Sequence, residues 1–134
     1  MVLRVFDASA VVAMLLDDDA DGRWCATTFA DSELYAPHLM PFEVANVIRR
    51  FELRGVVDSS AAGAAFADLR DVGVELVPLD VVADRVWSLR ANLTAYDAAY
   101  VATAEAVDGE LVTLDRRMVA AAGPLCPILA PPLG

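Results

Sequence analysis

Apolar runs that end in an aspartate frame this chain. Val2-Leu3-Arg4-Val5-Phe6 runs into Asp7, and Glu110-Leu111-Val112-Thr113-Leu114 runs into Asp115. Helix-forming residues follow each one, through Leu16 in the first case and over about 116–122 in the second. A strand that hands over directly to a helix is the repeating unit of a parallel α/β sheet. In such sheets ligands bind in the crevice outside the carboxyl ends of the strands. Carboxylates gathered there repel one another unless a positive group joins them. For oxygen donors that group is a hard divalent cation, Mg²⁺ or Mn²⁺.

The alternation continues between the two ends. The first strand is expected at about 2–6, followed by a helix opened by Asp7-Ala8-Ser9 and carrying Val11, Val12, Leu15 and Leu16. Asp17 to Gly22 reads as an acidic break, with a helix through Trp24, Thr28 and Phe29 after it, then a short strand near Leu34-Tyr35-Ala36. A strong helix spans about 39–54, with apolar Phe42, Val44, Val47, Ile48 and Phe51 and with Gly55 just past its end. Ser59 or Ser60 caps the next helix, which Gly73 ends. A strand at 74–79 and helices at about 81–92 and 95–107 follow, then the strand at 110–114 and a last apolar piece around Pro127-Ile128-Leu129. Ala130 to Gly134 reads as a frayed end. The expected fold class is α/β, a three-layer α/β/α sandwich around a mainly parallel sheet, formed by one domain over residues 1–134.

Composition narrows the function. Hydrophobic residues make up 57% of the chain, which suits a buried core and not a disordered segment. The longest clean apolar run, Ala10 to Leu16, falls well short of the roughly 20 residues a membrane span needs. No membrane association is expected, and the N-terminus reads as a first strand and not as a signal peptide, which places the chain in the cytoplasm. The formal net charge is −10, and all ten basic residues are arginine. An overall field of that sign does not attract nucleic acid, so contact with RNA or DNA must be local. Cys25 and Cys126 have no metal-ligand spacing and read as reduced core residues. His38 stands alone beside Pro37 and cannot build a histidine-rich site.

Two further acids join the strand-ending pair. Asp97 has Tyr100, Val101 and Ala104 at i+3, i+4 and i+7, an apolar stripe that should face the sheet and draw the carboxylate inward. Thr94 stands three residues before it, in the position of a helix N-cap. Glu43 shares a polar stripe with Asn46 and Arg50. Ser9 and Thr113 place hydroxyls next to Asp7 and Asp115, suited to orienting carboxylates or bound water. Each acid alone also fits a plain role: Asp7 and Asp115 as helix caps, Glu43 on a solvated helix face.

The chain resembles the PIN-domain ribonucleases, specifically the VapC toxins of bacterial toxin–antitoxin modules. The resemblance runs essentially end to end. It is carried by Val5-Phe6-Asp7-Ala8-Ser9-Ala10, by Pro41-Phe42-Glu43-Val44-Ala45-Asn46, by Leu93 to Ala102 and by Leu111 to Arg117. It implies an endoribonuclease that depends on Mg²⁺ or Mn²⁺, with Asp7, Glu43, Asp97 and Asp115 as the acidic site and Asp7 and Asp97 as its direct ligands. It also implies a homodimer and a cognate VapB antitoxin that blocks the site, with operator DNA reached only through that antitoxin. Ser9, Asn46 and Thr113 would then support the acids. Arg116 is the candidate for a phosphate contact with the RNA substrate, with a solvated helix start as its plain reading; Arg49, Arg50 and Arg54 read either as a solvated helix face, the usual role of surface arginines, or as contacts for RNA backbone or an acidic antitoxin tail.

Other readings of Asp7 compete. Phosphatases and receiver domains that form an aspartyl phosphate also place an Asp after the first strand, but they use a lysine near the phosphoryl group, and this chain has none. A PIN-fold nuclease of RNA maturation or DNA processing, or a non-catalytic binding module with the acids as caps, stays open at the level of sequence.

Overall fold

The computed structural model describes residues 1–134. Its element order is β1 (Val2–Phe6), α1 (Ala8–Leu16), α2 (Ala20–Ala30), β2 (Ser32–Pro37), α3 (Met40–Leu53), α4 (Ser59–Asp71), β3 (Val74–Val77), α5 (Leu79–Ser88), α6 (Ala95–Ala106), β4 (Glu110–Val112), α7 (Arg116–Ala120) and β5 (Ile128–Leu129). The five strands form one sheet in the order β3-β2-β1-β4-β5, and every neighbouring pair is parallel. Helices flank it in the expected three-layer α/β/α arrangement. Helices α1, α2, α3 and α4 pack on one another, while α5 packs on α6, and α6 lies against β1, β2 and β4.

Central position explains the composition of the strands. β1 is paired on both sides, and Val5 and Phe6 are wholly buried, as are Leu111 and Val112 of β4. Such strands read as continuous apolar runs because both faces are covered. The register aligns Phe6 with Val112. Asp7 therefore leaves the sheet beside Thr113, and the Asp7 amide donates to the Val112 carbonyl at 3.0 Å.

Several boundaries differ from expectation for identifiable reasons. Asp58, not a serine, caps α4: its Oδ1 accepts from the Ala61 amide at 2.8 Å. β3 stops at Val77, since Pro78 has no amide to donate to a ladder and stands as the N-cap of α5. Helix α5 ends at Ser88, and Leu89 to Leu93 continue as tight turns, with the Asn92 and Leu93 amides both donating to the Leu89 carbonyl. The acidic break is shorter than expected, because α2 already begins at Ala20. The tail is anchored: Pro131 is buried and its carbonyl accepts from Arg116 Nη2. Glu105 of α6 holds the segment before β5, accepting from Arg85 Nε at 2.6 Å and from the Leu125 amide at 2.8 Å. Cys25 is buried and Cys126 half-buried, both as free thiols, and His38 is exposed. No helix is long and apolar enough to cross a membrane.

Gly22 fixes how α2 meets the end of α1. A Cβ built there would lie 1.8 Å from the Asp17 carbonyl oxygen and 2.8 Å from that of Ala13, both backbone atoms. Neither can move without shifting α1, the helix that Asp7 caps. Gly22→Ala is expected to destabilise the protein by about 3 kcal/mol or more, the scale of an overpacked core with displaced backbone. Urea unfolding of parent and variant measures this directly; a loss under about 1 kcal/mol would mean the two helices can separate freely.

Candidate active site

Four carboxylates reach the carboxyl end of the sheet from four elements. Asp7 follows β1 and caps α1, its Oδ1 accepting from the Ala10 amide at 3.1 Å. Asp115 follows the short loop after β4 and caps α7, accepting from the Arg117 amide at 2.9 Å. Asp97 lies in the first turn of α6, whose cap is the Thr94 hydroxyl, accepting from the Asp97 amide at 3.2 Å. Glu43 lies in the first turn of α3. The capping role and membership of the acidic set therefore coexist at Asp7 and Asp115.

Asp7 is the most enclosed of the four, only 7% exposed. Both its oxygens are taken by hydroxyl donors: Ser9 Oγ donates to Oδ1 at 2.6 Å, and Thr113 Oγ1 donates to Oδ2. The two hydroxyls are themselves held. Ser9 Oγ accepts from the Leu114 amide and Thr113 Oγ1 from the Asp115 amide, each at 3.0 Å. A chain of hydrogen bonds thus ties the ends of β1 and β4 together through one carboxylate. Glu43 is held by Tyr100, whose hydroxyl donates to Oε1 at 2.5 Å. Tyr100 belonged to the apolar stripe on which sequence reasoning placed Asp97, and only its hydroxyl marked it as more than core. Asn46 is exposed and makes no hydrogen bond to any of the acids. Arg116 is turned to the tail, while Arg117 pairs with Asp115, Nη2 to Oδ2 at 3.0 Å.

Asp97 and Asp115 line a common cleft of about 360 Å³ with Thr94 and Arg117. A larger apolar groove of about 610 Å³ lies between α1 and α3, lined by Val12, Leu16, Val47 and Phe51, with Ser9 and Arg50 on its wall. Arg49, Arg50 and Arg54 are exposed on and just past α3.

The electrostatics separate Asp115 from the rest. Burial pushes the Asp7, Glu43 and Asp97 carboxyls above their ordinary values, and mutual repulsion adds to it: Asp97 acts on Asp7 and Glu43, Asp7 on Glu43, and Asp115 on Asp97. The hydroxyl donors only partly offset this at Asp7 and Glu43. Asp115 is lowered instead, chiefly by the Arg117 guanidinium. That arginine side chain is 91% exposed, and so open an ion pair contributes at most about 1 kcal/mol. The site thus holds more negative charge than the protein neutralises.

Carboxylates short of positive charge form the donor set a hard divalent cation takes, so the residues fit the expected metal. As the side chains stand, no three acidic, histidine or cysteine groups close on one point.

Comparisons with known proteins place the chain in a family. The PIN domain family model matches residues 4–124. The chain is 38% identical to the ribonuclease VapC9 of Mycobacterium tuberculosis over 96% of its own length and 98% of that protein's. It is 37% identical to the ribonuclease VapC1 of the same species, over 92% and 94%. This chain is a PIN domain of the VapC family. Among solved structures, PAE2754 from Pyrobaculum aerophilum superposes with a TM-score of 0.68 at 29% identity, over 95% of this VapC chain and 83% of that one.

The raised and lowered carboxyls set opposite pH dependences. Asp7, Glu43 and Asp97 bind protons more tightly folded than unfolded, so they oppose folding increasingly as the pH rises above ordinary values of 3.8 for Asp and 4.5 for Glu. Asp115 and Glu105 favour folding above that range, and their contribution is lost as the pH falls through their lowered values. In chelator at pH 7, Asp97→Asn is expected to melt about 2 °C above the parent, with the gap closing near pH 4. Scanning calorimetry at the two pH values measures it. A variant that melts below the parent at pH 7 would show that the Asp97 charge is compensated within the fold.

Proposed function

We propose that this VapC chain is the toxin of a type II toxin–antitoxin module, a divalent-metal-dependent endoribonuclease held inactive by a VapB antitoxin. The observation that carries this reading is the under-neutralised set of four carboxylates at the carboxyl ends of β1 and β4, in a chain whose relatives are named ribonucleases. Asp7, Glu43, Asp97 and Asp115 would hold Mg²⁺ or Mn²⁺, Asp7 and Asp97 most directly and the others in part through water. Such an ion, when bound, supplies a nucleophilic hydroxide from water and neutralises a phosphodiester.

The chain's own residues supply position and charge. Ser9 and Thr113 fix Asp7 so that its orientation is set before substrate arrives. The Asp115–Arg117 pair is weak enough to yield to a stronger cation, and the freed guanidinium then faces an incoming phosphate. Arg116 is assigned a phosphate contact through the guanidinium nitrogens that Pro131 leaves free. With a net charge of −10, these local arginines are what can draw RNA to the cleft. Asn46 is assigned to bound water beside Glu43. The groove between α1 and α3, which meets the site at Ser9, is the place assigned to the antitoxin. A homodimer, operator DNA bound only through the antitoxin, and a cytoplasmic location belong to the same reading.

Two substitutions test the reaction. Purified Asp7→Asn or Asp97→Asn protein is expected to lose Mg²⁺- or Mn²⁺-dependent RNA cleavage by about a hundredfold or more while keeping its circular dichroism spectrum. Parent-like cleavage by both variants would sink the assignment. Thr113→Val is the milder probe: it removes one hydrogen bond to Asp7 and is expected to weaken Mn²⁺ binding by about 10–100-fold. Titration calorimetry reads that affinity, and an unchanged value would remove Thr113 from the site.

A further inference from the structure

We propose that Tyr100 is a positioning residue of the acidic site, its hydroxyl holding Glu43 in one orientation and leaving Glu43 Oε2 to a divalent cation. Three observations carry this. Tyr100 is 2% exposed and packed within the core, so its hydroxyl is a fixed point. It donates to Glu43 Oε1 at 2.5 Å, and no other protein group hydrogen-bonds the Glu43 carboxylate. Its sequence neighbour Phe42 is 81% exposed, and Asn46, one turn on, is exposed and makes no hydrogen bond to it. A glutamate loses several rotatable bonds of freedom when ordered, so one fixed donor decides where its oxygens lie.

The chemistry of the donor matters as much as its position. A hydroxyl orders a carboxylate without adding positive charge, whereas a lysine or arginine would compete with the cation for it. Tyr100 also stands one helical turn after Asp97 on α6. One helix face thus carries an acid of the site and the group that orients a second acid, and the Tyr100–Glu43 hydrogen bond links α6 to the start of α3.

The inference rests on the metal-dependent reading above, and the test separates the two. Parent, Tyr100→Phe, Glu43→Gln and the double variant are titrated with MnCl₂ by calorimetry in metal-free form. The same proteins are then assayed for cleavage of a total RNA preparation. Tyr100→Phe keeps the ring and is expected to bind Mn²⁺ about 10-fold more weakly or worse, to lose kcat and to keep its KM. In the Glu43→Gln background the same substitution is expected to change Mn²⁺ affinity little, since the hydroxyl acts through that carboxylate. A parent that binds Mn²⁺ and cleaves RNA, beside a Tyr100→Phe variant that does both equally well, overturns the role of Tyr100 and leaves the nuclease reading standing. A parent that does neither overturns both. If Tyr100→Phe does not fold, Glu43→Asp serves instead: it keeps the charge but draws the carboxylate back from the hydroxyl. It is expected to show the same weakened Mn²⁺ binding, and parent-like binding overturns the proposal.

Discussion

Everything about the acidic end of this molecule depends on carboxylates that the fold brings together and does not neutralise. Asp7, Glu43 and Asp97 are partly or wholly withdrawn from water and repel one another. What holds the two with fixed hydrogen-bond partners is neutral: Ser9 and Thr113 on Asp7, Tyr100 on Glu43. Hydroxyls fix direction and leave charge unbalanced. Arg117 pairs with Asp115 and also acts on Asp97, and Arg50 acts on Glu43, but both arginines do so from positions open to solvent and leave the Asp97 and Glu43 carboxyls above their ordinary values. An arrangement of this kind is costly as plain structure, because paired or apolar groups would fill the same space with less strain on the fold. It makes sense as a receptor for charge brought from outside.

The sheet is what makes the crowding unavoidable. β1 lies at its centre with β4 alongside, in a register that brings Asp7 next to Thr113 and, two residues on, Asp115. Val5, Phe6, Leu111 and Val112 are wholly buried on both faces, so a slip by one residue would exchange side chains between two close-packed core layers and leave them misfitted. The hydrophobic core therefore enforces the spacing of the acids. Gly22 and Glu105 do related work at a distance, the first by letting α2 seat against α1 and the second by fastening the segment that leads into β5.

Much of this was legible in the chain itself, for physical reasons that can be named. Buried parallel strands are apolar throughout, so β1 and β4 stand out, and an acid directly after each is conspicuous. Asp97 could be placed inward because Tyr100, Val101 and Ala104 recur at helical spacing. The misplaced boundaries lie where local chemistry decides and periodicity is silent: the Asp58 cap, the Pro78 start of α5, the turns from Leu89 to Leu93. The anchored tail and the Glu43–Tyr100 contact were out of reach for another reason. Each joins residues far apart in sequence, and Tyr100 carries the same apolar ring whether or not its hydroxyl has a task. A hydroxyl on a core stripe, one turn from an acid, is the signal that could have pointed to it.

The four acids are separated by long stretches of chain, with Asp7 near one end and Asp115 near the other. β1 finds its partner β4 only after more than a hundred residues have been made, so no compact portion of the nascent chain contains the whole set. A polypeptide emerging from a ribosome in N- to C-terminal order cannot close this site until β4 has cleared the exit tunnel and docked beside β1. A site drawn from such distant parts of the sequence is among the last features of the fold to form.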